Sequence, residues 1–436
     1  MHLLLGLLLI TLSCAIVVKD LDRQIDLSTP HPRVDVSLNV FNNEGKEVSK
    51  LEYIVSSVHG ATRSSVLSCS VNDKPVTCHL SDNTLTVDME PLSPKSSAKI
   101  SLSYVCMDAV TVVPEEIKQG DEQYVQLIES SVVPSPYTIE RQRTSLKCAS
   151  VADNGIMSGA DSNQLSFSPT SDESSAPLNA ICTAPYPIVI GTTERTFTLE
   201  PLLGGFYHDE FDLSNKGSRL VGEWSRLDHQ RKPNDAKTAM SLISMRLIPF
   251  TNPHSLVYRD YIGNISTSQY TQLSESETHF TVAPRFPLFG GWNFKFFIKG
   301  AISRMYFKQM MLTKEARVPV FPQLENVFFT HAKTTIVLPQ FAKIIGFNSQ
   351  VINARCYKGP TVMSHLDIVG RETFVCEVDN VATTTPLGDI VVKFSYSGVL
   401  DFMKPLLIVA FVAVVVFGIK LAKRIAKLFV VKNKVE

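Results

Sequence analysis

Charge of one sign is what this chain lacks first. Its 42 basic and 42 acidic residues balance, which excludes the strongly basic surface of a nucleic-acid binder. Catalytic signatures are missing too. There is no H-E-x-x-H for zinc, no G-x-S-x-G nucleophile elbow and no G-x-x-x-x-G-K-[ST] phosphate loop. No C-x-x-C occurs either, so zinc ribbons and thioredoxin-like redox chemistry have no support. Enzymes need positioned acids, bases, nucleophiles or metals, and only two short clusters offer any. In "YHDEFD" (207–212), His208, Asp209 and Glu210 are neighbours on an expected strand and point to opposite faces. They cannot easily share one metal, and a solvated strand end is the expectation. "RLDHQR" (226–231) with His229 reads as a surface or interface segment rather than a catalytic base. No catalytic, cofactor-binding or metal-binding residues are assigned.

The two ends carry long apolar runs. "MHLLLGLLLITLSCA" has the length and the small-x-small ending, Ser13-Cys14-Ala15, of a signal peptide cleaved after Ala15, although its start offers no Lys or Arg. An uncleaved anchor is the alternative. Near the other end, the charge-free run Pro405–Ile419 is shorter than the about 20 residues a bilayer needs. Lys404 and Lys420 can snorkel, which extends the span to Phe402–Ala422, roughly 30 Å of helix at about 1.5 Å per residue. The span contains no Asp, Glu or His, the usual marks of transport or proton relay. The Lys- and Arg-rich stretch after it is expected in the cytosol, and suits anionic headgroups. That makes the chain a single-pass type I protein with its bulk in the lumen. Lys432 and Lys434 form a K-x-K-x-x ending, which reads as a retrieval signal for the endoplasmic reticulum.

An oxidising compartment makes disulfides expected among the seven cysteines beyond Cys14. Cys69 and Cys78 flank the turn residues Asn72-Asp73-Lys74-Pro75 and suggest a hairpin clamp. Cys356 with Cys376 and Cys148 with Cys182 are the other candidate pairs. Cys106 is left over, buried or paired elsewhere.

Between the ends, "RVDVSLNVFN", "SAKISLSYVC" and "GDIVVKFSYSG" alternate apolar and polar residues, the mark of half-buried strands. The fold class is therefore mostly β: two tandem lumenal β-sandwich-like domains followed by one transmembrane helix. The expected division is a signal peptide at 1–15, a first domain at 16–190 with a mobile Ser-rich loop at about 152–178, a second domain at 191–400, the span at 402–422 and a basic tail at 423–436. "SLNVFNNEGKEVSKLEYIV" and "HDEFDLSNKGSRLVGEWSRL" share a strand, an Asn-x-Gly turn and a returning strand. Duplication and shared hairpin grammar both explain that echo. Asn264-Ile265-Ser266 is the one N-glycosylation sequon, in a polar, turn-like setting that should be accessible.

The motifs match a family at this point. "VYRDYIGNISTS" followed by "PRFPLFGGW" (Pro284, Arg285, Phe286, Pro287, Leu288, Phe289, Gly290, Gly291, Trp292) resembles ribophorin I, subunit 1 of the oligosaccharyltransferase complex. "GEWSRLDHQR" upstream and "GDIVVKFSYS" running into "KPLLIVAF" resemble the same family, with looser similarity in "VKDLDRQIDLS" and "LSPKSSAKISLSYV". The resemblance implies a non-catalytic accessory subunit of the endoplasmic-reticulum membrane. It needs no cofactor and supports N-linked glycosylation by stabilising the complex and presenting nascent glycoproteins. The other subunits are its partners, with transfer performed by the multi-spanning one. A type I cargo receptor or surface adhesin is the alternative function. Within "PRFPLFGGW", the prolines bar a helix, the aromatic residues supply buried area and the Gly pair allows a turn or a close approach. The segment reads as a structural element, with an interface role as the alternative.

Overall fold

The computed structural model describes residues 16–55, 63–130, 132–148, 150–153, 164–167, 177–200, 204–231, 237–247, 255–272, 278–302, 307–309, 313–349, 353–364, 367–382, 388–397, 399 and 402–432. The expected signal peptide at 1–15 and Lys434 lie outside them, and for Lys432 only the backbone is described.

Period-two burial builds the first half. β1 (Ile16–Asp26), β2 (Arg33–Asn42), β3 (Ser64–Val71), β4 (Lys74–Pro75), β5 (Ser97–Cys106), β6 (Thr138–Lys147) and β7 (Gln164–Phe167) form one sheet in the order β7-β6-β1-β2-β5-β3-β4. The alternating runs "RVDVSLNVFN" and "SAKISLSYVC" are β2 and β5. Val34, Val36, Leu38 and Val40 of β2 are buried on one face, as a pleated strand requires.

The second half repeats the plan. β8 (Val189–Glu200), β9 (Gly204–Asn215), β10 (Val257–Asp260), β11 (Asn293–Ile302), β12 (Val327–Val337), β13 (Arg355–Lys358) and β14 (Thr373–Ala382) form a sheet in the order β10-β11-β9-β8-β12-β14-β13. β1 pairs β2 antiparallel and β6 parallel, and β8 pairs β9 antiparallel and β12 parallel. Outward from there, β2-β5-β3 and β6-β7 match β9-β11-β10 and β12-β14, every pair antiparallel. Six strands in each half thus share chain order, spatial order and direction.

Smaller sheets cover one face of each large sheet and share its core. Leu51, Leu85, Val125 and Leu127 join the buried cluster of the first half, and Ile243, Phe280, Val392 and Phe394 that of the second. Phe328 and Ala382 from the second half belong to the first half's cluster, so the two cores meet. Disulfides join Cys69 to Cys78, Cys148 to Cys182 and Cys356 to Cys376, while Cys106 is free and buried.

The division placed at 190/191 falls inside β8. The stretch 152–178 includes β7 and reaches the strand Pro177–Thr183. "YHDEFD" is the middle of β9 rather than a solvated strand end: Asp209 is buried. The helix α2 runs Met403–Lys432 without a break at residue 422. Its stretch Met403–Ala426 contains an 18-residue window of mean hydropathy 2.6, none of it buried against the protein, so it is long and apolar enough to cross a membrane.

Candidate functional site at the junction of the two halves

β9 ends at Asn215, whose side chain is wholly buried. An Asn at a strand end can bond its own backbone two residues on, and the Asn215 Oδ1 accepts from the Gly217 amide at 2.9 Å. The same oxygen accepts from the Ile188 amide at 3.3 Å, and Nδ2 donates to the Thr238 and Leu288 carbonyls, each at 2.9 Å. One amide therefore ties the residue before β8, the segment near 238 and the "PRFPLFGGW" loop together.

The sequence pattern predicts a returning strand after Asn215-Lys216-Gly217, and the structure corrects this. Arg219 and Leu220 do not pair with β9. They form a parallel two-residue ladder with Glu116 and Ile117 of the first half, where the Arg219 and Glu116 side chains also pair. Two glutamines from the first half complete the junction. The Gln119 side chain bonds both backbone groups of Ser225, donating to the carbonyl at 3.1 Å and accepting from the amide at 2.9 Å. Gln123 accepts from the Ser218 amide at 2.7 Å and donates to the carbonyls of Ala184 and Tyr186. A Cβ on Gly217 would strike the Gln123 side chain, so the turn residue serves close approach between the halves.

"PRFPLFGGW" lies on this junction. Leu288 exchanges two backbone hydrogen bonds with Met240, each at 3.0 Å; Gly290 accepts from the Leu220 amide and Gly291 donates to the Asn215 carbonyl at 2.8 Å. A Cβ on Gly290 would collide with the Ser218 carbonyl group, its carbon lying 2.7 Å away. Gly291 has φ of 80°, a conformation that favours glycine. Phe289 and Trp292 pack edge-to-face at 5.3 Å, and Trp224 caps both at 6.4 Å. His229 of α1 (Arg226–Arg231) meets Phe289 at 6.4 Å. The two stretches "GEWSRLDHQR" and "PRFPLFGGW" are thus one aromatic cluster, bridged to the first half through Gln119.

Arg285 reaches the other way. Its guanidinium clamps Asp260 with contacts of 2.9 and 3.0 Å, and the same carboxylate accepts from the Ile262 and Gly263 amides. The Arg285 bond, opposed by desolvation, holds the Asp260 carboxyl below its usual range, and Asp260 raises the guanidinium in return. This closes the turn before Asn264, which is exposed and bridges backbone-to-backbone with Arg259.

The charged cluster of β9 is divided between faces. Asp209 makes a bidentate pair with buried Arg195 on β8, both contacts 2.6 Å, while His208 and Glu210 share the opposite face. Among the described residues, no group of three or more His, Cys, Asp and Glu side chains is placed to hold a metal. Sequence reading did not pick out Gln119, Gln123 or the role of Asn215. The Asn-x-Gly spacing was the available signal for the last, and the glutamines act over 95 and 106 residues of chain.

The family model described as Ribophorin I matches residues 16–423. Dolichyl-diphosphooligosaccharide–protein glycosyltransferase subunit 1A of Arabidopsis thaliana is 26% identical over 436 residues, covering 91% of this chain and 68% of that one. Subunit 1 of Caenorhabditis elegans is 26% identical over 388 residues, covering 83% and 64%. Subunit 1B of Oryza sativa subsp. japonica is 27% identical over 318 residues, covering 67% and 63%. The chain spans about two thirds of the length of these relatives. Among solved structures, an M1 zinc metallopeptidase from Deinococcus radiodurans overlaps at a TM-score of 0.25 and 15% identity, covering 51% of this chain and 52% of that one. A native yeast LTA4 hydrolase overlaps at 0.28 and 12%, covering 42% and 31%. Likeness that weak carries nothing about fold or chemistry.

Proposed function

This chain belongs to the ribophorin I family, and we propose that it is an accessory, non-catalytic subunit of the oligosaccharyltransferase complex. It stabilises that assembly and helps present nascent glycoproteins to a transferase site carried by another subunit. The relatives' names as subunit 1 of the glycosyltransferase support membership of the complex. The observation that carries the accessory role is where the signature residues go. Arg285 is spent on Asp260, Asn215 on four backbone groups, and Phe289 and Trp292 on the junction cluster. These groups hold the two halves together, as a scaffold needs.

In this reading the chain is a single-pass protein of the endoplasmic reticulum membrane. α2 spans the bilayer, the β domains are lumenal, Asn264 carries a glycan and Lys432 and Lys434 serve retrieval. The three disulfides and the exposed sequon support a lumenal β region. Purification of the full chain from membranes in mild detergent, with its partners identified, tests the proposal. Recovery with the multi-spanning subunit, and underglycosylated secreted proteins on depletion, are expected. Recovery of the chain alone, with glycosylation intact on depletion, overturns it.

A further inference from the structure

Arg371 and Val362 exchange backbone hydrogen bonds of 2.8 and 3.1 Å and close a loop between them. Asp367 pins that loop from inside. Its side chain is fully buried and pairs with Arg371 at 2.9 Å and with Lys404 at 2.7 Å, while Arg371 also pairs with Glu200 at 2.8 Å. The carboxyl sits below its usual range: burial pushes it up, and its bonds to Arg371, Lys404 and the Ser364 amide outweigh that. Lys404 is the second residue of α2, just before the charge-free run that begins at Pro405. The ion pair therefore holds the loop beside the end of that run.

With Asp367 turned inward, the loop leaves apolar side chains outside. Met363 is 62% exposed, Ile368 46% and Val369 48%, and Val399 and Phe402 at the base of α2 are 76% and 56% exposed. In a soluble setting, exposed apolar surface that is contiguous marks an interaction site. Here the loop is joined to the base of α2 through the Asp367–Lys404 pair, and a bilayer has an interfacial zone beyond its roughly 30 Å hydrocarbon core. We propose that Met363, Ile368 and Val369, with Val399 and Phe402, dip into the lipid of the leaflet from which α2 emerges. The Asp367–Lys404 pair fixes the β region against the membrane. The occupant is the lipid surface, and the inference rests on α2 spanning the bilayer.

The full chain in phosphatidylcholine nanodiscs, labelled with an environment-sensitive fluorophore at Ile368→Cys, Val369→Cys or Met363→Cys, tests this. Cys106 is buried and escapes the label. Lys74→Cys, on the exposed strand β4 of the first half, is the aqueous control, and Val412→Cys reports the span. A nitroxide placed near the lipid headgroup should quench the loop positions several-fold more than Lys74→Cys, and aqueous iodide should quench them less. Iodide quenching of the loop without lipid quenching, while a deep nitroxide still quenches Val412→Cys, overturns the inference and leaves the span intact. Failure at Val412→Cys overturns the membrane reading itself. Loop positions shielded from both quenchers mean a protein occupant, which also overturns the proposal. Three separate loop positions keep the test open if one variant fails to fold.

Discussion

Replacing Asn215 by alanine should cut deeper than any other single polar deletion at the junction. The side chain is 0% exposed and serves four backbone groups. Two of those losses are softened. The Leu288 carbonyl still accepts from Met240 at 3.0 Å, and the Ile188 contact is long. The buried Gly217 amide and the partly buried Thr238 carbonyl lose their side-chain partner. An orphaned buried group costs about 1–3 kcal/mol, so Asn215→Ala should lose about 3–5 kcal/mol. Asn215→Asp keeps the shape but aims a carboxylate at two carbonyls, and should lose at least as much at pH 7. Its folded-state pKa would be raised, so the variant should regain stability as pH falls through that value, because the folded state then holds the extra proton. Pulse proteolysis of the full chain in detergent across a urea series reads this directly. With a slope of about 2 kcal/mol per M, the midpoint for the second half should fall by about 2 M. An Asn215→Ala midpoint within about 0.5 M of the parent, or Asn215→Asp outlasting Asn215→Ala at pH 7, refutes the reasoning.

Other perturbations read other parts of the fold. His31 is 4% exposed and meets Phe328 across the halves at 6.1 Å; burial depresses its pKa from 6.5 to about 4, against an opposing bond to Val189. Between those values the unfolded chain binds a proton the folded one refuses, so stability falls as pH drops from 6.5 and levels off near 4. The loss is about 3 kcal/mol at about 1.4 kcal/mol per pH unit, and His31→Gln should flatten that slope in the same proteolysis assay. Trp292→Ala removes three edge-to-face partners, Trp224, Phe286 and Phe289. It should lower the amount of assembled complex by destabilising the junction by about 2–4 kcal/mol. Normal complex levels with lost transfer activity would contradict its structural role. Asn264→Gln should abolish the mobility shift produced by removing N-glycans, and a shift that persists rules out that acceptor.

Strand content was legible because alternation is local. The runs chosen at 33–42 and 97–106 coincide with β2 and β5, since the apolar residues of each lie on one face. Asp209 was less legible. Its neighbours His208 and Glu210 make a polar triplet, and only the opposite strand reveals that Arg195 awaits the middle residue. The course after Asn215 was not legible for a related reason. Asn-x-Gly announces a turn, but the turn's destination depends on Glu116, Gln119 and Gln123, about a hundred residues earlier. Arg285 carried no hint of its partner either, although Asp260 lies in a stretch already singled out beside the sequon.

The echo between "SLNVFNNEG" and "HDEFDLSNKG" now has a structural basis. It falls at the ends of β2 and β9, which occupy equivalent places in the two sheets. Asn42, like Asn215, is 0% exposed. Its Oδ1 accepts from the Glu44 amide at 2.9 Å, two residues on, and its Nδ2 donates to the Lys46 and Leu92 carbonyls at 2.9 Å. Hairpin grammar alone does not account for this, because neither following strand returns to its predecessor: Val48–Ile54 pairs with Thr84–Leu92, and Arg219–Leu220 with the other half. Six strands in matching order, together with a matching buried amide at the same strand end, favour duplication of one ancestral unit. The two halves differ in what the amide holds. In the first half it fixes a loop within its own unit. In the second it holds the "PRFPLFGGW" segment against the chain that crosses to the first, so the same device became the lock between the copies.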